Sequence, residues 1–123
     1  MFLLAPSEPP TNVRARNFQS NKILVLWDAV KPQYANGQIR GYTIFYRDYR
    51  DYYYFHEDKA ENITINDPNV FQMVLRGLDG GSKYQIAVAA FTSVGQGPRS
   101  PWISFVVGEC WQIVLGRLDK LSR

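Results

Sequence analysis

The feature that most constrains this chain is the run Leu78-Asp79-Gly80-Gly81-Ser82-Lys83-Tyr84, followed by alternating Ile86, Val88 and Ala90. A leucine ends one strand, a glycine turn reverses the chain, and a tyrosine opens the next strand. This layout predicts a tyrosine corner, in which a Tyr hydroxyl bonds to upstream backbone where the chain crosses between two packed sheets. Trp27 ends an apolar run far upstream and supplies a large side chain for the space between the sheets. Together these residues predict a β-sandwich.

Alternation supports the same architecture along the chain. In a strand, successive side chains point to opposite faces. Val13 and Ala15 oppose Arg14 and Arg16. With Trp27 buried, Ile23 and Val25 point inward and Leu24 and Leu26 outward. Over 39–47, Tyr42, Ile44 and Tyr46 point in, while Thr43, Phe45 and Arg47 point out. Residues 51–56, with a Tyr-Tyr-Tyr-Phe run, predict a short fourth strand. Residues 70–78 predict a fifth with Phe71, Met73 and Leu75 inward; 84–91 and 102–107 supply the last two. Ala35-Asn36-Gly37, Asn66-Asp67-Pro68-Asn69 and Gly95-Gln96-Gly97-Pro98 read as turns. No convincing helix lies among these segments. The expected fold is all-β: a seven-stranded immunoglobulin-like β-sandwich of two packed antiparallel sheets.

The full chain of 123 residues suffices for one domain and its core. Residues 1–8, with Pro6, read as a linker or lead, 9–107 as the domain, and 108–123 as a tail. Met1 to Ala5 is too short for a signal peptide and lacks a charged start. In the tail, Trp111, Val114, Leu115, Leu118 and Leu121 recur at roughly helical spacing. Either a helix packed on the sandwich or a disordered end fits that pattern. The longest apolar runs fall far short of the ~20 residues that span a bilayer, so direct membrane insertion of this segment is not expected.

Catalytic and metal chemistry finds little support. His56 is the one histidine and has no ligand-spaced Cys or His. Cys110, the one cysteine, has no evident base, and no disulfide can form within the chain. Gly95-x-Gly97 lacks the Lys and following helix of a phosphate loop. Glu57, Asp58 and Glu61 do not follow calcium-loop spacing. Around Tyr46 to Tyr52 each Arg is matched by an Asp, which removes the basic groove that nucleic acid needs. No enzyme activity, cofactor, metal or nucleic-acid partner is therefore expected. Asn62-Ile63-Thr64 is a glycosylation sequon, with Asn62 the acceptor.

The motifs, taken in order, resemble the fibronectin type III family over roughly Pro9 to Val107. They are Pro10…Val13, Ile23-x-Val25-x-Trp27, Gly37-x-Ile39-x-Gly41-Tyr42-x-Ile44-x-Tyr46, Leu75-x-x-Leu78, Tyr84-x-Ile86-x-Val88-x-Ala90 and Gly95-x-Gly97. The segment Asn36 to Tyr42 is similar to modules of neuronal adhesion molecules and receptor-type tyrosine phosphatase ectodomains. Gly80 stands where the family usually has Pro, and Ser82 where it has Thr, which softens the turn. The family's integrin-binding Arg-Gly-Asp is absent from the last hairpin loop. Arg99 to Ser104 shares only one Trp with the Trp-Ser-x-Trp-Ser box of cytokine receptors.

The resemblance implies a non-catalytic module for protein contact or spacing within an extracellular, multi-domain cell-surface or secreted protein. Its partners would be neighbouring domains, a cell-surface ligand or a second copy. Two alternatives are an intracellular structural spacer and a carbohydrate-binding accessory module of an extracellular enzyme, using Trp102 and the tyrosines. Outward residues suggest two contact patches. One comprises Leu24, Leu26 and Val74 beside Arg14, Arg16 and Arg76; the other comprises Phe45 and Phe91, with Ala87 and Ala89, near Tyr52, Tyr53 and Tyr54. Trp27, Tyr42, Leu78 and Tyr84 are the expected structural residues.

Overall fold

The computed structural model describes residues 3–50, 53 and 60–108. Seven strands form two antiparallel sheets. Strands β1 (Thr11–Gln19), β2 (Lys22–Asp28) and β5 (Gln72–Leu75) form one sheet in the order β1-β2-β5. The other has the order β4-β3-β6-β7, from β3 (Gly41–Asp48), β4 (Glu61–Ile65), β6 (Lys83–Phe91) and β7 (Ile103–Val106). A four-residue helix, α1 (Pro32–Ala35), joins β2 to β3. Its proline occupies the first turn, where a missing N–H costs nothing. Asn36 ends it in the left-handed conformation (φ 57°) that asparagine tolerates.

Most of the inward residues named from alternation make the core, with Tyr46 and Met73 partly buried against it. Ile23, Val25 and Trp27 of β2 face Tyr42 and Ile44 of β3, with Leu75, Ile86, Val88 and Ala90 closing the layer. Trp27 and Tyr42 meet at 5.4 Å between ring centroids, tilted by 56°. The Tyr42 hydroxyl donates to the Pro68 carbonyl at 3.3 Å. The indole Nε1 of Trp27 is buried without a partner among the described residues, a cost carried by the size of the ring's apolar burial.

The corner forms as the sequence predicts. The Tyr84 hydroxyl oxygen accepts the Asp79 N–H at 3.1 Å. Gly81 adopts φ 80°, a conformation costly for any residue with a Cβ. Its N–H reaches the Val107 carbonyl at 2.7 Å, and the Val107 N–H returns to Ser82 at 2.9 Å. The turn is thereby stitched to the end of the last strand. Burial raises the Tyr84 pKa, an effect partly opposed by its bond to the Asp79 N–H.

Four details differ from the sequence reading. The fourth strand is Glu61–Ile65; within the expected 51–56, Tyr53 has helical backbone, as do Tyr49 and Arg50 before it, and 51, 52 and 54–56 lie outside the described residues. The aromatic run suggested β propensity, but β3 needs a partner with alternating residues, which Ile63 and Ile65 supply by facing the core. The fifth strand is shorter than expected, and Phe71 precedes it, 39% exposed. Phe71 lies against Tyr42 at 5.8 Å, closing one end of the sandwich instead of entering the core. A short helix is present in α1, where none was expected. Leu24 points outward yet is only 8% exposed.

Residues 4–7 run across one pole of the sandwich. The Leu4 N–H donates to the Asn36 carbonyl and the Leu4 carbonyl accepts from Thr92 Oγ1, both at 2.9 Å. Asn36 Nδ2 donates to the Ala5 carbonyl at 3.2 Å, and the Ser7 N–H to the Tyr34 carbonyl at 2.9 Å. The segment thus uses the loop donors and acceptors that α1 and the β6–β7 connection would otherwise show to water.

Candidate protein-interaction surfaces

The outer face of the four-stranded sheet is the first surface. Phe45, Ala87 and Ala89 project onto it as alternation requires, but Phe45 is only 7% exposed and both alanines are fully covered. The cover comes from the segment leading into β7. The Arg99 guanidinium lies 4.2 Å from the Phe45 ring centroid and 5.7 Å from that of Trp102. Arg47 sits 4.1 Å over the other aromatic of the pair, Trp102, and its Nε donates to Gln85 Oε1 at 2.9 Å. The result is an alternating Arg47–Trp102–Arg99–Phe45 series, in which each guanidinium lies over an aromatic ring.

This stack corrects the expectation that Phe45 is an open anchor. The sequence did place Phe45 and Arg47 on the outer face. Gly97 and Pro98 by themselves signal only a hairpin, and nothing in that signal indicates that Arg99 folds over that face. In the structure the Gly97 N–H bonds to Ala90 and the Ser100 N–H to Val88, so the segment pairs with β6 and carries Arg99 and Trp102 across the face. The signal that was missed is the spacing Arg99-x-x-Trp102 beside an outward Phe45 and Arg47.

Phe91 is half-buried on the same face, its ring over Gly41. Tyr53 is 57% exposed and stacks on Tyr49 at 5.4 Å and 17°. Lys83 Nζ lies 4.5 Å over the Tyr49 ring. Tyr52 and Tyr54 lie outside the described residues, as do His56, Cys110 and the tail from 109 to 123. The structure therefore brings Phe45 and Phe91 to one face and leaves the Tyr49–Tyr53 pair at the end of β3.

The outer face of the three-stranded sheet is the second surface. Register aligns Arg16, Leu24 and Val74 in one row and Arg14, Leu26 and Gln72 in the next. Leu26 and Val74 are half-buried, and Arg76, just past β5, is exposed. Arg14 pairs with Asp28 at 3.4 Å, while Arg16 and Arg76 form no ion pair among the described residues. Adjacent apolar side chains bordered by arginines fit the composition of protein contact surfaces.

Among the described residues no group of three His, Cys, Asp or Glu could hold a metal ion. No helix among them is long and apolar enough to cross a membrane.

Two antiparallel sheets of three and four strands, joined through a tyrosine corner, define an immunoglobulin-like sandwich module. The family description "Fibronectin type III domain" matches residues 8–106, and the chain belongs to that family. It is 34% identical over 99 residues to human neogenin and 35% identical over 103 residues to human receptor-type tyrosine-protein phosphatase F. Each alignment covers 80% of this chain, but only 6% and 5% of those relatives. Chicken protein sidekick-1 is 37% identical over 97 residues, covering 78% of this chain and 4% of its own length. Among solved structures, the chicken CNTN1 FN1-FN3 domains superpose with a TM-score of 0.71 at 28% identity, covering 85% of this chain and 33% of that one. The third fibronectin III domain of a human protein gives 0.74 at 27% identity, with 85% of each chain covered.

Proposed function

We propose that this domain is a non-catalytic contact or spacing module in the extracellular part of a multi-domain cell-surface protein. The observation that carries the reading is the family match itself. It accounts for nearly the whole described domain, while the relatives are many times longer and include one named as a receptor-type phosphatase. A module in that setting works through its surface and its stiffness.

The contact face is the outer side of the three-stranded sheet, built from Leu26, Val74 and Arg76, with Arg16 alongside; Leu24, only 8% exposed, adds little surface to it. The opposite face is sealed by the chain's own Arg99 and Trp102, so an incoming protein there would first have to break the stack. That sealing also weakens the carbohydrate-module reading, because Arg47 occupies a face of Trp102.

The test is surface plasmon resonance of the folded chain against a panel of purified cell-surface ectodomains, a second copy of this chain included. Leu26→Asp would place a charge in the centre of the contact and should abolish the signal without unfolding the domain, as circular dichroism would check. Binding that ignores Leu26→Asp and is lost on Tyr53→Ala would assign contact to the other side. Absence of any protein contact, with an unchanged fold, would leave spacing as the module's role.

A further inference from the structure

We propose that Asn62 carries an N-linked glycan whose first sugar lies on the outer face of the four-stranded sheet, held by the free donors of Arg99. The proposal rests on the extracellular reading above, because the modification requires passage through a glycosylating compartment.

The sequon Asn62-Ile63-Thr64 lies wholly within β4. Ile63 faces the core, and Asn62 and Thr64 both project outward and are exposed. Neither outward side chain makes a hydrogen bond among the described residues, so the Asn62 amide gives up no partner on modification. Among the described residues β4 is an edge strand, paired with β3 alone. The bulk of a branched oligosaccharide suits an edge that would otherwise invite pairing.

Register then fixes where the sugar starts. Asn62 stands directly opposite Phe45, so the two side chains share the outer face, with Cβ atoms roughly 5 Å apart. Over Phe45 lies Arg99, exposed, with its Cζ 4.2 Å from the ring centroid. It makes no ion pair or hydrogen bond among the described residues. Stacking uses the plane of a guanidinium and leaves its edge N–H donors free. Arg99 and the Asn62 substituent are thus both brought to the same ring, Phe45. An N-acetylglucosamine offers hydroxyl oxygens and an acetamide carbonyl as acceptors.

In the transfer, Asn62 Nδ2 forms a bond to C1 of the N-acetylglucosamine of a lipid-linked oligosaccharide. The C1–O bond to the lipid pyrophosphate breaks, the pyrophosphate leaves with the electron pair, and the amide loses one proton.

The experiment uses the intact chain secreted from a glycosylating eukaryotic host. Mass spectrometry reads occupancy, and an endoglycosidase that leaves one sugar is compared with a chain made as Asn62→Gln. The one-sugar form should match the full glycoform in Tm and exceed Asn62→Gln by about 3 °C, a modest contact for a domain of this size. In an Arg99→Ala background that difference should vanish. A folded, secreted chain with bare Asn62 would overturn the glycan and leave the extracellular reading standing. An occupied Asn62 whose sugar gives no gain in Tm, or an equal gain without Arg99, would overturn the seat. A chain that folds in the cytosol but not on the secretory route would overturn the extracellular reading first, and this proposal with it.

Discussion

Gly41→Ala should destabilise the domain, although the same substitution in an unconstrained strand is favourable. Gly41 opens β3, is buried, and does not need a positive φ. On backbone entropy alone, alanine would gain about 0.5–1 kcal/mol by restricting the unfolded chain. The space decides otherwise. A Cβ at this position would overlap the Ile65 carbonyl oxygen and come within 2.7 Å of Phe91 Cζ. The ring of Phe91 can swing away, but the carbonyl belongs to the backbone of β4 and moves only with its strand. Relief therefore strains the Tyr42–Ile65 end of the β3–β4 ladder. Overpacking of this kind costs about 1–3 kcal/mol, and lost ladder pairing adds about 1 kcal/mol. After the entropic gain, a net loss of about 2 kcal/mol remains, or roughly 8–16 °C in Tm for a domain this small. Urea unfolding followed by tryptophan fluorescence reads the change as a lower midpoint with an unchanged slope. A Gly41→Ala domain as stable as the parent would show that β4 yields freely at Ile65 and that the close approach does not constrain the sheet.

Other perturbations test other links in the same chain of argument. Tyr84→Phe removes the hydroxyl that accepts the Asp79 N–H and should cost about 1 kcal/mol in denaturant unfolding; no loss would mean that the corner does not depend on that bond. Burial raises the pKa of Tyr84 and Tyr42 above the ordinary 10.0, so the stability they confer is complete below pH 10 and lost as pH climbs through the raised values. Unfolding curves between pH 8 and 11.5 should show that decline, and it should be shallower in Tyr84→Phe. Arg99→Ala deletes the contacts to Phe45 and Trp102 and should cost about 1 kcal/mol. It should also raise binding of a hydrophobic dye as Phe45 is uncovered, and dye binding equal to the parent would refute the capping role. Trp27→Ala should cost about 3–5 kcal/mol and lower Tm steeply, because the ring is 1% exposed between the sheets.

The core was legible because alternation and one-sided burial are the same fact. Ile23, Val25 and Trp27 could face only one way once Trp27 was buried, and a register slip would have turned the whole set to solvent. The corner was legible because its turn demands particular residues: glycine at a positive φ, then a tyrosine long enough to reach back to Asp79. The fourth strand was misplaced because the Tyr-Tyr-Tyr-Phe run has strong local β preference, whereas pairing with β3 selects the alternating Ile63 and Ile65. Local preference yields to tertiary pairing in such cases. The fate of Phe45 was hidden for a related reason. Alternation assigns a side chain to a face but does not reveal which distant segment will cover that face.

The two sheets consequently have unlike exteriors, for an electrostatic reason. On the four-stranded sheet, Arg47 and Arg99 lie over Trp102 and Phe45, so cation and aromatic satisfy each other within the domain. On the three-stranded sheet, Leu24, Leu26 and Val74 are aliphatic and offer no quadrupole to a guanidinium. Arg16 and Arg76 border that stripe with their charges unpaired among the described residues. A partner bringing acidic groups around an apolar centre would gain on both counts there. On the opposite face it would have to displace contacts already made. Placing Leu26→Asp and Arg99→Ala in one double-mutant cycle should therefore give additive effects on stability and binding, because the two sites lie on opposite sides of the core and share no contact. Coupling between them would mean that the sheets do not present independent surfaces.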